Sequence, residues 1–303
     1  MTKQGIIRSP FFYVGDKYKL MAEIKTYLPQ NIKTYVEPFV GGGSSFLNVT
    51  AENYILNDID PYVIELHNTL LQYATKPEIL FEQLFELIEI YNLTCSYKGK
   101  TVSDELKKQF AKTYYAKHNK TAYAKLKTDF NIKQDDMLRL YLLIIYGFNH
   151  MIRFNNAGVF NLPVGNVDFN KNVYTALTDY LGFVIDKNIT FSNLDYKTFL
   201  SDLELTEDDF VFLDPPYLIS MSEYNKLWNA EKEQELYSFL DEVDAKGVRF
   251  ALTNLVSHKG QTNTVLIEWA KKYNTHPINS NYISFNDNTI KADSKEVLVT
   301  NYE

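Results

Sequence analysis

Four consecutive residues, Asp214-Pro215-Pro216-Tyr217, set a carboxylate, two rigid imino acids and an aromatic ring directly after the apolar run Phe210–Leu213. Prolines lack a backbone donor and fix φ, so a strand over 210–213 must stop there. The acid and the ring are then held beyond its C-terminal edge, where open α/β sheets bind their ligands. An acid and a carbonyl fixed side by side can accept both N–H protons of an exocyclic amino group. The lone pair of such a nitrogen is delocalised into its ring; two acceptors pull it out of conjugation and aim it as a nucleophile. Asp214 Oδ and the Pro215 carbonyl would be those acceptors, and the Tyr217 ring a surface on which a base could stack.

A second constellation lies upstream. In Phe39-Val40-Gly41-Gly42-Gly43-Ser44-Ser45 three glycines let the backbone turn sharply and approach a ligand. The loop lacks the Gly-Lys-Ser/Thr ending of a P-loop, which argues against a nucleotide triphosphatase. Asp58, 17 residues beyond Gly41, stands where an acid can accept both hydroxyls of a ribose. The plainer reading of Asp58 is a cap on the following helix. Loop and acid together point to an adenosine-containing cofactor, and NAD and S-adenosylmethionine fit them equally. Asp214-Pro215-Pro216-Tyr217 separates the two. Hydride transfer has no use for an acid locked beside two prolines, whereas methyl transfer to an amine does. A base receiving that methyl must leave the duplex stack to be reached.

The elements that position these residues follow from the apolar pattern. Thr34–Glu37 reads as a short strand running into the glycine loop, with a helix expected from about Ser44. Residues 53–58 read as a second strand, and Pro61 suits the first position of a helix carrying Val63, Ile64, Leu66, Leu70 and Leu71. From 75 to about 150 the pattern is helical and polar apart from an apolar helix at Leu138–Tyr146. Residues 147–170, dense in Asn, Gly and aromatics, suit a loop or β-hairpin turning near Asn156-Ala157-Gly158. Strand–helix alternation resumes with strands at 189–194, 210–214, 248–254 and 296–301 and helices over 231–245 and 264–272. The expected fold is α/β: a Rossmann-like, mostly parallel sheet of the class I S-adenosylmethionine-dependent methyltransferase type, interrupted by an inserted helical and β-hairpin domain. The expected boundaries are 1–66 with 188–303 for the catalytic, cofactor-binding domain and 67–187 for the insertion.

Bulk properties fit an ordinary globular chain. Of 303 residues, 45% are hydrophobic and 23% charged. The single cysteine, Cys95, excludes an internal disulfide and a cysteine metal cluster, and no metal site is expected. No apolar run reaches the length of a membrane span and the first residues hold no long apolar region, so the expected location is cytoplasmic and no membrane partner is implied. The net charge is −7, yet residues 97–153 hold twelve lysines and arginines against five acids. That segment carries +7 and the remainder −14, and Tyr97, Tyr114, Tyr115 and Tyr123 are interleaved with its lysines. A basic, aromatic-studded insertion fits nucleic acid; a solvated lysine-rich helical surface fits it as well.

In order and in combination, SPFFYVGDKYKL, EPFVGGGSSFLN, ILNDIDPYVIELHN, GFNHMIRFNNAGVFNLPVG, FLDPPYLISMSEYNKLW and VRFALTNLVSHKGQTNTVLIEWAKKYN resemble Dam-type DNA adenine-N6 methyltransferases. These belong to the D12 class, alpha group, in which the recognition domain interrupts the catalytic one, and the likeness is closest to the enzymes of T-even phages. The resemblance covers nearly the whole chain. It implies S-adenosylmethionine as cofactor, with contacts from Tyr13, Lys17, Phe39, Gly41, Gly43, Asp58, Asp195, Tyr196 and Asp214. Lys17 would meet the methionine carboxylate, Asp58 the ribose, and Asp195-Tyr196 the cofactor adenine. Asp214, Pro215 and Tyr217 would be the catalytic residues. For the double-stranded DNA partner it implies Asn149, Met151, Arg153, Asn155 and Pro163. Arg153 is the natural base reader, because its fork can make two bonds to guanine O6 and N7. Met151 and Pro163 would touch a thymine methyl or wedge into the gap left by a flipped base. His150 is expected to be a bystander. A cognate restriction endonuclease encoded nearby is the candidate protein partner, and a monomer is expected in solution. The expected site is GATC, then another short site with a central AT. The resemblance departs at Phe12, where many cellular members carry a lysine before the aromatic, so contact to the first base pair is not carried over.

Other readings fare less well. Cytosine C5 methylation needs a nucleophilic cysteine, usually after proline, and Cys95 follows Thr94. Cytosine N4 enzymes usually carry Ser, and protein glutamine methylases Asn, where this chain has Asp214. A catalytically silent DNA-binding regulator would not need an intact Asp214 and glycine loop. An NAD-dependent oxidoreductase leaves Asp-Pro-Pro-Tyr unexplained.

Overall fold

The computed structural model describes residues 5–13, 15–220, 228–279 and 294–303. The chain forms two compact units: residues 17–40, 48–59 and 188–303 make one, residues 1–16, 41–47 and 60–187 the other.

The first unit is built on one sheet. Its strands are β1 (Thr34–Glu37), β2 (Asn53–Asn57), β3 (Asn188–Ser192), β4 (Phe210–Leu213), β5 (Arg249–His258), β6 (Gln261–Thr262), β7 (Asn274–Ile278) and β8 (Lys295–Thr300). They lie in the order β3-β2-β1-β4-β5-β8-β7, with β6 paired to the end of β5. The five strands from β3 to β5 are parallel, and β8 and β7 run antiparallel. The α/β, mostly parallel sheet expected from the sequence is therefore present. Central β4 is buried at all four positions, as its unbroken apolar run requires of a strand covered on both faces. Helices α9 (Ala230–Ala245) and α10 (Thr264–Ala270) supply Leu236, Leu240, Leu266 and Trp269 to a core with Val36, Val211, Phe250 and Leu252.

The other unit is helical: α2 (Pro61–Gln72), α3 (Pro77–Ile90), α4 (Asp104–Gln109), α5 (Tyr114–Ile132), α6 (Met137–Ile145) and α7 (Lys171–Val184). Short α1 (Met21–Ile24) and α8 (Tyr196–Ser201) belong to the sheet unit. Apolar but for Arg139, α6 buries seven of its nine residues and packs against α2, α3 and α5. Helix α2 starts at Pro61 and is capped by Asp60, whose carboxylate accepts from Tyr62 N at 2.9 Å. The plainer role foreseen for Asp58 thus falls to its neighbour.

Three expectations are corrected. No α-helix follows the glycine loop; Phe46–Asn48 makes one 3-10 turn, because only a few residues separate the loop from the start of β2. Residues 147–170 form no hairpin ladder among the described residues. Two isolated bridges, Phe154 to Phe160 and Gly147 to Val164, close the loop, and side chains do the rest. Asn131 of α5 both donates to Phe160 O (3.0 Å) and accepts from Phe160 N (2.8 Å), and Gln134 donates to Gly158 O. Tyr123, read as one of the aromatics interleaved with lysine, is a core residue: it is 2% exposed and its hydroxyl donates to Leu143 O. Lys117, Lys120 and Lys125 of the same helix are exposed.

Candidate active site

At the C-terminal end of β4 the chain leaves the sheet at Asp214, and the prolines prevent either ladder or helix from continuing. Three donors converge on the Asp214 carboxylate. Lys17 Nζ lies 2.7 Å from Oδ2, Thr253 of β5 donates to Oδ1 at 2.7 Å, and the Tyr217 hydroxyl lies 3.0 Å from Oδ1. Thr253 can stand there because β4 and β5 pair in parallel, putting Leu213 beside Leu252. Lys17 is itself buried, with its ammonium 5.0 Å from the centre of the Tyr217 ring. The ring of Tyr217 is 8% exposed and packs with Ile219 and Leu255.

A fifth residue joins the cluster, one that no local pattern in the chain marks. Glu296, the second residue of β8, reaches Tyr217 OH at 2.6 Å and Lys17 Nζ at 3.8 Å. Only tertiary pairing of β8 with β5 brings it there.

Asp58, Asp195 and Tyr196 follow the ends of β2 and β3, two and three strands away from β4. One buried side chain fixes this region. Asn57, fully inaccessible, donates to Pro38 O (3.1 Å) and Leu194 O (3.0 Å) and accepts from Leu194 N (2.9 Å). A single amide therefore ties the residue before Phe39 to the residue before Asp195. Asn193 adds a bond to Asp58 O at 2.8 Å. Asp195 is exposed and accepts from Lys197 N, capping α8. Phe39 and Tyr196 stand 5.4 Å apart, and Trp228, a residue sequence reasoning did not single out, completes an aromatic trio at 5.8 and 5.6 Å. Trp228 is aimed by its indole N–H, which donates to buried Glu233.

Within the sheet unit alone these residues fit an adenosine cofactor bearing an amino-acid carboxylate. Lys17 offers a cation, Asp58 an acid at a strand tip, and Phe39 with Tyr196 an aromatic face. A cleft of about 520 Å³ between Thr26–Asn31 and Arg249, His276, Thr300 and Tyr302 lies at the other end of the strands. It holds none of the residues named above.

In the helical unit the glycine loop is fitted closely. Gly41 and Gly43 have φ of +47° and +81°, values that favour glycine. A Cβ on Gly42 would come within 2.9 Å of Tyr13 Cβ and Ser9 Oγ, and one on Gly43 within 2.3 Å of Phe46. Tyr13 therefore lies against the loop, as Phe46 does. His67 of α2 braces it: Nε2 donates to Gly41 O and Nδ1 accepts from Tyr180 OH, each at 2.9 Å. A carbonyl can only accept, so these partners fix the tautomer. Full burial holds the imidazole down to about 4. Sequence reasoning passed over His67 among the apolar residues of α2.

The loop residues expected at DNA also lie in this unit. Arg153 is half-buried and gives Nε–H to Asn161 Oδ1 (2.9 Å) and an Nη2–H to Asn161 O (2.7 Å). The far end of its guanidinium is not used by those bonds. Asn155 shapes the exposed turn, its Oδ1 accepting from Ala157 N and Val159 N at 3.0 Å. Asn149 has φ of +55°, Met151 is half-buried, and Pro163 is exposed with its carbonyl accepting from Phe148 N. His150 is mostly buried, its Nδ1 3.0 Å from Ile144 O, and burial holds its pKa below the usual histidine value.

Comparison with known proteins completes the picture. A family profile for D12 class N6 adenine-specific DNA methyltransferases matches residues 13–283. The type II methyltransferase M.FokI of Planomicrobium okeanokoites is 36% identical over 304 residues, spanning 98% of this chain and 43% of that protein. The modification methylase StsI of Streptococcus sanguinis is 33% identical over the same shares. The DNA adenine methylase of Vibrio cholerae is 30% identical over 213 residues, 68% of this chain and 63% of its own. The chain thus spans less than half the length of the first two. With the profile matching most of its length, and Asp-Pro-Pro-Tyr standing at the tip of a parallel strand, this chain belongs to the D12 class N6 adenine-specific DNA methyltransferase family.

Proposed function

We propose that this protein transfers a methyl group from S-adenosylmethionine to N6 of an adenine flipped out of duplex DNA. The observation that carries the reading is the Asp214 carboxylate. It stands at the tip of β4, is held by Thr253 and Lys17, and is followed by two prolines and a tyrosine. When bound, S-adenosylmethionine supplies an electrophilic methyl on its sulfonium. Lys17, Phe39, Asp58, Tyr196 and Asp214 are the residues of the sheet unit proposed to hold it. Asp214 accepts an N–H of the adenine amine and orients the nitrogen lone pair; it need not take a proton in the ground state. Thr253 fixes the carboxylate's rotation, and the prolines hold the following carbonyl as the second acceptor.

Residues 67–187 are proposed to be the target-recognition domain, set within a catalytic domain of 1–66 and 188–303. Arg153 would read guanine with the free end of its fork, while Asn149, Met151, Asn155 and Pro163 would contact the DNA around it. The exposed lysines of α5 are proposed to neutralise phosphates. Within the family we place the chain in the alpha group, nearest the Dam-type enzymes of T-even phages. We propose GATC as the first candidate site, then another short site with a central AT. Relatives named as type II methyltransferase and modification methylase support a cognate restriction endonuclease as partner.

The test is mapping of methylated adenines, by single-molecule sequencing, in DNA from a methylation-free host expressing this protein. Methylation confined to one short motif supports reaction, base and specificity together. No methylated adenine, from protein that binds S-adenosylmethionine, refutes the reading in favour of another amine acceptor or a silent relative. Asp214→Ala should lower kcat by ~10²–10³ or more with DNA binding kept; normal turnover would exclude the mechanism.

A further inference from the structure

Glu296 presents a problem that the site as described does not resolve. Its side chain is 1% exposed; Oε1 faces Tyr217 and Lys17, and Oε2 is buried with no hydrogen-bond partner among the described residues. A buried carboxylate with one oxygen unsatisfied is a standing cost to the fold. An apolar residue in the same place on β8 would avoid it.

The geometry around Tyr217 shows what the charge can do. A phenol has one proton, and two carboxylates compete for it: Glu296 Oε1 at 2.6 Å and Asp214 Oδ1 at 3.0 Å. The nearer acceptor takes it. Lys17 is shared in the same sense, 2.7 Å from Asp214 and 3.8 Å from Glu296. Without Glu296 the Tyr217 proton would turn to Asp214, and Lys17 would lean more heavily on it. The carboxylate would then carry Thr253, Tyr217 and a larger share of the ammonium, with little electron density left for a further N–H.

We propose that Glu296 is a positioning residue for Asp214. It draws the Tyr217 proton and part of the Lys17 charge onto itself, so that Asp214 keeps an acceptor for the incoming amine. This inference rests on the methyl-transfer reading above and gives that reading a residue from β8, two strands away from β4. Glu296 touches no substrate in this account and acts only through Tyr217 and Lys17.

The experiment uses the full chain with Glu296→Gln and Glu296→Asp. Gln keeps the shape and an acceptor for Tyr217 without the charge; Asp keeps the charge on a shorter arm. Three quantities are read: the single-turnover methylation rate and the dissociation constants for S-adenosylmethionine and for target DNA. The proposal expects Glu296→Gln to slow single turnover by about tenfold or more, a larger loss than in either affinity, and Glu296→Asp to recover part of the rate. A wild-type rate in Glu296→Gln, or equal losses in both variants, overturns it, the last by marking Glu296 as packing. If Gln prevents folding, Glu296→Met takes its place, and a wild-type rate in it overturns the electrostatic role. A wild-type protein that binds S-adenosylmethionine but methylates no adenine refutes the proposed reaction, whereas an active wild-type protein matched in rate by Glu296→Gln refutes this inference alone.

Discussion

Lys17 Nζ and Asp214 Oδ2 form a 2.7 Å ion pair between a side chain 7% exposed and one 20% exposed. The cation proposed to receive the cofactor's carboxylate thus rests on the carboxylate proposed to receive the amine. Lys17→Met should weaken S-adenosylmethionine binding by about tenfold or more, ~1.4 kcal/mol, and slow turnover as well. Calorimetric titration of cofactor into the variant checks the first part. Unchanged affinity would remove Lys17 from the cofactor's contacts and leave it as a partner of the two carboxylates, Asp214 and Glu296.

Asn57→Ala should destabilise the sheet unit by about 1–3 kcal/mol, since it takes this partner from the buried Pro38 carbonyl and from the part-buried Leu194 backbone groups. Asn57→Asp should be nearly as costly, because a carboxylate cannot donate to either carbonyl. Denaturant unfolding at neutral pH reads both; an Asn57→Asp variant as stable as wild type would contradict the assigned bonds.

His67 gives the fold a pH dependence whose direction can be worked out. Burial lowers its pKa from 6.5 to about 4, so between those values the unfolded chain binds a proton that the folded chain does not. The contribution is complete above about pH 6.5, is lost progressively as pH falls toward 4, and amounts to about 3 kcal/mol over that window. In His67→Gln this part of the pH slope should vanish. Urea unfolding of wild type and variant at pH 7.5, 5.5 and 4.5 makes the comparison; parallel curves would show that His67 does not titrate on unfolding.

Arg153→Ala should relax site choice, lowering discrimination at one base pair by about 1–3 kcal/mol. Because the same guanidinium holds Asn161, Asn161→Ala is the control for loop disorder alone. Methylation profiles over a randomised target library separate them. Equal profiles for Arg153→Ala and wild type would exclude a base contact.

Much of the sheet was legible because its central strands carry short apolar runs, unbroken in β4. Residues 34–37 and 210–213 read directly as β1 and β4. Strand β7 was not legible: Asn-Thr-His-Pro-Ile is polar and holds Pro277, which an edge strand tolerates and an inner one does not. The loop over 147–170 was legible as a turn but not in its bonding, since Asn131 reaches it from the end of α5 and Gln134 from just beyond that helix. The site divides in the same way. Asp214 was visible because prolines mark it, and the structure brings Lys17 and Tyr217 to it. Asn57, His67, Trp228 and Glu296 carry no local signal, because each acts through a partner far away in sequence that only the folded chain supplies.

Strand β8 lies between β5 and β7, antiparallel to both, and delivers Glu296 beside Tyr217. During synthesis, every other member of the Asp214 cluster leaves the ribosome before it. Until residues 295–300 emerge, one edge of β5 has no partner beyond its short turn with β6, and Tyr217 has one carboxylate instead of two. A nascent chain can hold its Asp-Pro-Pro-Tyr segment long before that segment has its finished surroundings. The timing of completion is thus written into the order of the strands.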